Sequence, residues 1–220
     1  MNPNWAEENL QTIRTLMERS AIYRRALAPI MLFAGAIGVT TAAIGIGLTE
    51  KVEIDFSEDM KAFGTLWLCS AAIVVAGAFL IARRQAIKDK EPFWSPPTRR
   101  VGQALLPALL AGMFLGTIFT FVGLTNAITL TLIWLFFYGC ALHAAGFFIS
   151  RGMKCFSWVF IGLAAVTASI LCLLNATPSL AFPPSKIVIT ANWLMGFFFG
   201  VLHLAYGAYL YLTEKRKNAA

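Results

Sequence analysis

Six long stretches of this chain carry no Asp, Glu, Lys or Arg: Leu27–Thr49, Ala62–Ala82, Gln103–Leu124, Ala127–Ile149, Cys155–Asn175 and Ile187–Leu212. The hydrocarbon core of a bilayer needs about 20 apolar residues per helical crossing. Inside lipid, every backbone N–H and C=O must be paired within its own segment, so a continuous apolar run reads as a helix. Strands of membrane barrels alternate apolar and polar residues instead, and these runs do not alternate. The expected fold is therefore all-α, a polytopic bundle of six transmembrane helices. Composition agrees. Of 220 residues, 58% are hydrophobic and 13% charged, where soluble domains run near 45–50% apolar and about 25% charged. Mean hydropathy is +0.70.

Three regions follow. Residues 1–26 read as a cytoplasmic amphipathic helix, 27–212 as the membrane domain, and 213–220 as a basic cytoplasmic tail. Asn4 and Glu7 resemble a capping box. Leu10, Ile13, Met17 and Ala21 then fall on one face, with Arg14, Glu18 and Arg25 mainly elsewhere. Such a helix lies in the headgroup plane, or packs on the bundle or a partner. No short apolar core with a small-residue cleavage site precedes the first run, so that run reads as an uncleaved anchor.

The net charge is +7, and its placement sets the expected orientation. Lys and Arg near helix ends stay on the cytoplasmic side. One alternating set of connections holds Arg14, Arg19, Arg24, Arg25, Arg83, Arg84, Lys88, Lys90, Arg99, Arg100, Arg151, Lys154, Lys215, Arg216 and Lys217. The other holds only Lys51, Lys61 and Lys186. Both termini are thus expected in the cytoplasm, with the lipid bilayer as the first partner. Anionic headgroups add attraction for the basic set. Nucleic acid is not expected, because these loops are too short to build a basic face with stacking aromatics.

Residues 83–102 read as the longest cytoplasmic connection, with prolines at Pro92, Pro96 and Pro97 and the rings Phe93 and Trp94. This loop and residues 4–25 are the candidate docking segments for another membrane or cytoplasmic protein. Glu50–Lys61 reads as an acidic outer loop, and Ala176–Lys186 as a proline-stiffened one. Two tight connections, near Thr125–Asn126 and Arg151–Lys154, make their flanking helices antiparallel neighbours. A faint repeat suggests three hairpins of related pattern.

The only two histidines, His143 and His203, lie inside spans. The two spans run in the same direction and place the rings at similar depth. Gly139 and Gly146 frame His143, and Gly200 and Gly207 frame His203, at helical spacing. Small residues in membrane helices face other helices, so both imidazoles are expected to point into the bundle. Three roles fit. Each histidine can hydrogen-bond a facing helix. The pair can hold a b-type haem, the glycines leaving room for the porphyrin. With Cys140, three residues before His143, they can form a metal site. The other cysteines, Cys69, Cys155 and Cys172, read as small packing residues. The run Trp193–Phe199, with Tyr206, Tyr209 and Tyr211, reads as lipid-facing surface and interfacial belt. Asn192 reads as a hydrogen-bond partner near a helix end.

No phosphate loop, zinc-protease helix, nucleophile elbow or acidic metal cluster is present in the sequence. No carboxylate or basic group lies at depth, which argues against an ion-coupled carrier. The leading expectation is a non-enzymatic membrane protein, acting as a regulatory or interaction partner or as an assembly subunit. A haem-binding redox protein using His143 and His203, and a small-solute transporter or channel, are the alternatives.

The stretch from Leu16-Met17-Glu18-Arg19-Ser20 to Tyr23-Arg24-Arg25-Ala26-Leu27-Ala28-Pro29, and the stretch Glu91–Pro97, resemble segments of small multispan bacterial proteins of uncharacterised activity. The resemblance covers about a quarter of the chain. It implies a bacterial inner membrane and transfers no functional residue.

Overall fold

A computed structural model describes residues 26–49, 56–90, 92–175 and 184–219. The amphipathic segment 4–25, residues 50–55 of the acidic loop and residues 176–183 lie outside the described residues. Among the described residues all regular structure is helical, and six helices are long and apolar enough to cross a membrane. They are α1 (Ala26–Thr49), α2 (Phe56–Lys88), α3 (Pro96–Val122), α4 (Ala127–Gly146), α5 (Arg151–Asn175) and a last rod. This rod consists of α6 (Pro184–Met195), a π-helical turn (Gly196–Val201) and α7 (Leu202–Ala219).

Two connections differ from the sequence reading. The segment read as the loop 83–102 is mostly helix. Arg83-Arg84-Gln85-Ala86-Ile87-Lys88 contains no helix breaker, so α2 runs on past its apolar part. It closes through Lys90, which takes a left-handed φ of 55°. α3 then begins at Pro96 rather than Gln103, with Ser95 extended before it and proline in the first turn, where a missing N–H costs nothing. The tight inner connection lies at residues 147–150 rather than 151–154. Ser150 Oγ accepts from the Met153 N–H at 3.3 Å and so starts α5 one turn earlier. On the other side, Asn126 Oδ1 accepts from the Thr129 N–H at 2.9 Å and starts α4. The tail read from residue 213 continues α7 as helix to Ala219.

Glycines set the packing of the centre. α1 and the last rod run antiparallel and interlock along their length. Gly207 meets Leu32, Gly35 meets Leu204, and Gly200 meets Val39. Gly38 meets the Phe199 backbone, Gly196 meets Ala42, and Gly45 meets Asn192. In lipid no hydrophobic force drives helices together, so close backbone approach through small residues carries the association. α1, α4 and the last rod have the larger buried shares, whereas α2, α3 and α5 present more of themselves outward. α4 packs on both α3 and α5: Gly112 and Gly116 of α3 take Phe137 and Trp134, and Gly139 takes Ile161 and Phe160. Packing thus runs within the α3–α4 hairpin of the repeat and also across to α5.

Interhelical hydrogen bonds tie the periphery to this centre. Thr41 and Ser70 hydroxyls meet at 2.7 Å, and Ser70 donates on to the Leu66 carbonyl. Trp134 Nε1 donates to the Gly112 carbonyl at 3.1 Å. Asn192 is buried, not merely a helix-end group. Its Oδ1 accepts from Trp67 Nε1 at 2.9 Å and its Nδ2 donates to the Val188 carbonyl.

Candidate functional site

The structure places the two histidines in different surroundings. His203 is 1% exposed and sits where the π-helical turn meets α7. The turn widens the helix, so that the Leu202 N–H reaches the Phe197 carbonyl five residues back. Such turns recur at functional sites. His203 Nδ1 lies 3.1 Å from the Phe198 carbonyl. A carbonyl only accepts, so Nδ1 carries the proton. Nε2 is then the acceptor, and the Tyr138 hydroxyl of α4 donates to it at 2.6 Å. In the neutral ring these partners fix one tautomer.

Aromatic rings complete the chamber. Phe199 stacks on His203 at 5.9 Å between centroids and 16° between planes. Phe156 and Phe160 of α5 meet it edge-on at 5.3 and 5.5 Å. Phe156 in turn stacks on Tyr206 at 4.4 Å. Phe198 is buried, so the run Trp193–Phe199 is not wholly a lipid-facing surface. Trp193 and Phe197 are exposed, while Phe198 and Phe199 build the core. Tyr206 is half-buried here, and Tyr209 and Tyr211 face outward.

His143 lies instead on an outward groove between α3, α4 and α5, with Trp158 and Phe147 as its ring neighbours. Its Nδ1 is 3.3 Å from Ser157 Oγ. Ser157 donates its own proton to the Lys154 carbonyl at 2.7 Å, so its oxygen accepts from His143. Nε2 of His143 is left as the acceptor. Cys140 lines the same groove.

The paired-histidine expectation does not fit this geometry. The ring neighbours of His203 and those of His143 share no member. Both nitrogens of His203 are engaged by the bundle itself, leaving no lone pair for an axial bond to haem iron. The framing glycines are filled by protein: Gly139 by Ile161, Gly146 by the Lys154 side chain, Gly200 by Val39 and Gly207 by Leu32. Among the described residues, no three His, Cys, Asp or Glu side chains converge as metal ligands. The residues that sequence reasoning missed are Tyr138, Ser157 and Trp158. A tyrosine in mid-span was the available signal, since a buried phenol in lipid requires an acceptor.

Three of the four cysteines, Cys69, Cys155 and Cys172, are exposed on the bundle's outer face rather than packed inside it. Two of them belong to a pattern on α5. Cys155, Gly162 and Ser169 recur every seven residues, and the intervening positions are Trp158, Ala165 and Cys172; all are exposed. A Cβ added at Gly162 would meet nothing within 4 Å. Val159, Val166 and Leu173 flank the seam on one side, also exposed.

Comparison with protein-family models, with curated proteins and with solved structures found no match to this chain.

Proposed function

We propose that this chain is a non-enzymatic assembly subunit of a bacterial inner membrane, which associates with a second copy of itself through the outward face of α5. The observation that carries this reading is the small-residue seam of Gly162, Ala165, Ser169 and Cys172, which continues the heptad begun by Cys155 and Trp158. In membranes such residues face other helices, because only they let two backbones approach. A seven-residue repeat is the period of a left-handed helix pair. Copies inserted the same way carry parallel α5 helices about a two-fold axis, so each seam position meets its own equivalent. Inside each subunit Gly35, Gly38, Gly112, Gly116, Gly139, Gly196, Gly200 and Gly207 are filled by neighbouring helices, whereas Gly162, in the middle of α5, is open, as are Gly47 and Gly102 near the ends of theirs.

Gly162→Leu is expected to weaken self-association about tenfold or more while leaving the fold intact, since nothing inside the subunit touches that position. The check is the mass of the purified full-length protein in mild detergent, beside its helical circular dichroism. A wild-type protein that stays monomeric, or a Gly162→Leu variant that dimerises equally well, would contradict the proposal.

Both termini belong on the cytoplasmic side in this reading. Its support is the clustering of fifteen of the eighteen basic residues in one alternating set of connections. Reporter fusions at the two ends are expected to be active only in their cytoplasmic form. Fusions landing on opposite faces would overturn the orientation.

A further inference from the structure

We infer that the outward groove beside His143 holds an acyl chain of an anionic phospholipid, whose phosphate is taken by Arg100, Arg151 and Lys154. The inference does not rest on pairing through α5, although Trp158, one wall of the groove, lies on the seam side of that helix.

The groove has a volume of about 740 Å³ and is almost wholly apolar. The small side chains of Ala104 of α3 and Ala144 of α4 line it, together with Phe148, Trp158 and Ile161. Trp158 and Phe148 are exposed apolar rings, so the groove opens on the outer surface of the bundle, which faces lipid if the six helices span a bilayer. A bilayer chain can enter it without desolvating any charge.

One end of the groove is basic. α3 and α5 both begin at that end, and α4 finishes there. Arg100 stands one helical turn before Ala104, and Lys154 one turn before Trp158, each on the face that lines the groove. Arg151 opens α5 two turns before Trp158. Arg100 and Arg151 are exposed and make no ion pair among the described residues. Lys154 threads its stem past Gly146 and holds Nζ 3.5 Å from the Phe147 ring centroid, so its charge is fixed above the groove mouth. Basic pockets between membrane helices recognise anionic headgroups in this way.

His143 adds a polar contact at the same level. It lies three residues from the end of α4, and Lys154 three residues into α5. The Ser157–Lys154 relay turns its Nδ1 proton inward and leaves Nε2 as an acceptor lining the groove. A headgroup hydroxyl beside the phosphate satisfies it. Neither a fully apolar ligand nor a free phosphate uses both the walls and the rim.

The test is native mass spectrometry of the delipidated full-length protein, with phosphatidylglycerol or phosphatidylcholine of identical chains added back. Phosphatidylglycerol is expected to occupy one saturable site about tenfold more tightly than phosphatidylcholine. The double variant Arg100→Gln, Lys154→Gln should lose that preference. Ala104→Trp, which fills the groove and leaves the charges in place, should lose the adduct. Equal binding of the two lipids, or an adduct that survives both variants, would overturn the inference. So would competition by inorganic phosphate alone, which would mean an anion site without a lipid chain. Thermal unfolding of each variant separates loss of the site from loss of the fold, and Ala144→Phe offers a second way to fill the groove.

Discussion

Gly200→Leu is expected to prevent the protein from being recovered as a monodisperse species in detergent. A Cβ at this position would stand 2.7 Å from Val39 Cγ2 and 2.9 Å from the Val39 backbone nitrogen. The side-chain atom can rotate away, but the backbone cannot. Gly35 is similar, with the Leu204 nitrogen at 2.7 Å from its added Cβ. Relief requires α1 and the last rod to separate, and that seam organises the bundle. Overpacking of this kind costs about 3 kcal/mol or more. Replacing a helix-interior glycine also gains about 1 kcal/mol of helix propensity, so the clash wins. Gly47→Leu and Gly102→Leu provide the control, because nothing lies within 4 Å of either position. They are expected to leave the unfolding midpoint unchanged or slightly raised. A Gly200→Leu protein as stable as Gly47→Leu would show that α1 does not pack on the last rod.

The second large effect centres on His203. Its replacement by leucine removes the acceptor of the Tyr138 hydroxyl and the donor to the Phe198 carbonyl at once. Each buried polar group left without a partner costs about 1–3 kcal/mol. His203→Leu is therefore expected to destabilise by about 3 kcal/mol, and Tyr138→Phe by about 1–2 kcal/mol, because it orphans only Nε2. The sign of the combination is the sharper expectation. On the His203→Leu background the phenol is already orphaned, so adding Tyr138→Phe should restore stability rather than reduce it further. Denaturant unfolding of the four proteins in detergent checks this. Simple addition of the two losses would mean that the hydroxyl and the imidazole are not coupled.

The six spans were legible because the bilayer demands a long apolar run and charges mark its ends. The overrun of α2 to Lys88 was not, because hydropathy registers where the bilayer stops, not where the helix stops. Arg83, Arg84 and Lys88 lie past the apolar run and still within the helix. The glycines were rightly expected to face other helices. The histidines do not follow them. At about 100° per residue, Gly139 and Gly146 lie about 50° to one side of His143, while Gly200 and Gly207 lie about 50° to the other side of His203. Frames that look alike in sequence thus turn the two rings in opposite senses. One ring enters the core and the other reaches the α3–α4–α5 groove. Tyr138 escaped notice because its role depends on rotation of α4 against α7, which no local pattern records. The same holds for the α5 seam, which becomes meaningful only once the opposite face, with Phe156, Phe160 and Ala164, is known to be buried.

Self-association through α5 can be tested with the cysteines the chain already has. A variant keeping only Cys155 and Cys172 is oxidised in native membranes with copper phenanthroline. A parallel two-fold pair brings each thiol within disulfide reach of its own equivalent, so a dimer that reverts on reduction is predicted, and Gly162→Leu should abolish it. A variant keeping only Cys69, which is exposed on α2, should stay monomeric. Cross-linking through Cys69 as efficient as through α5, or none through α5 at all, would contradict the account.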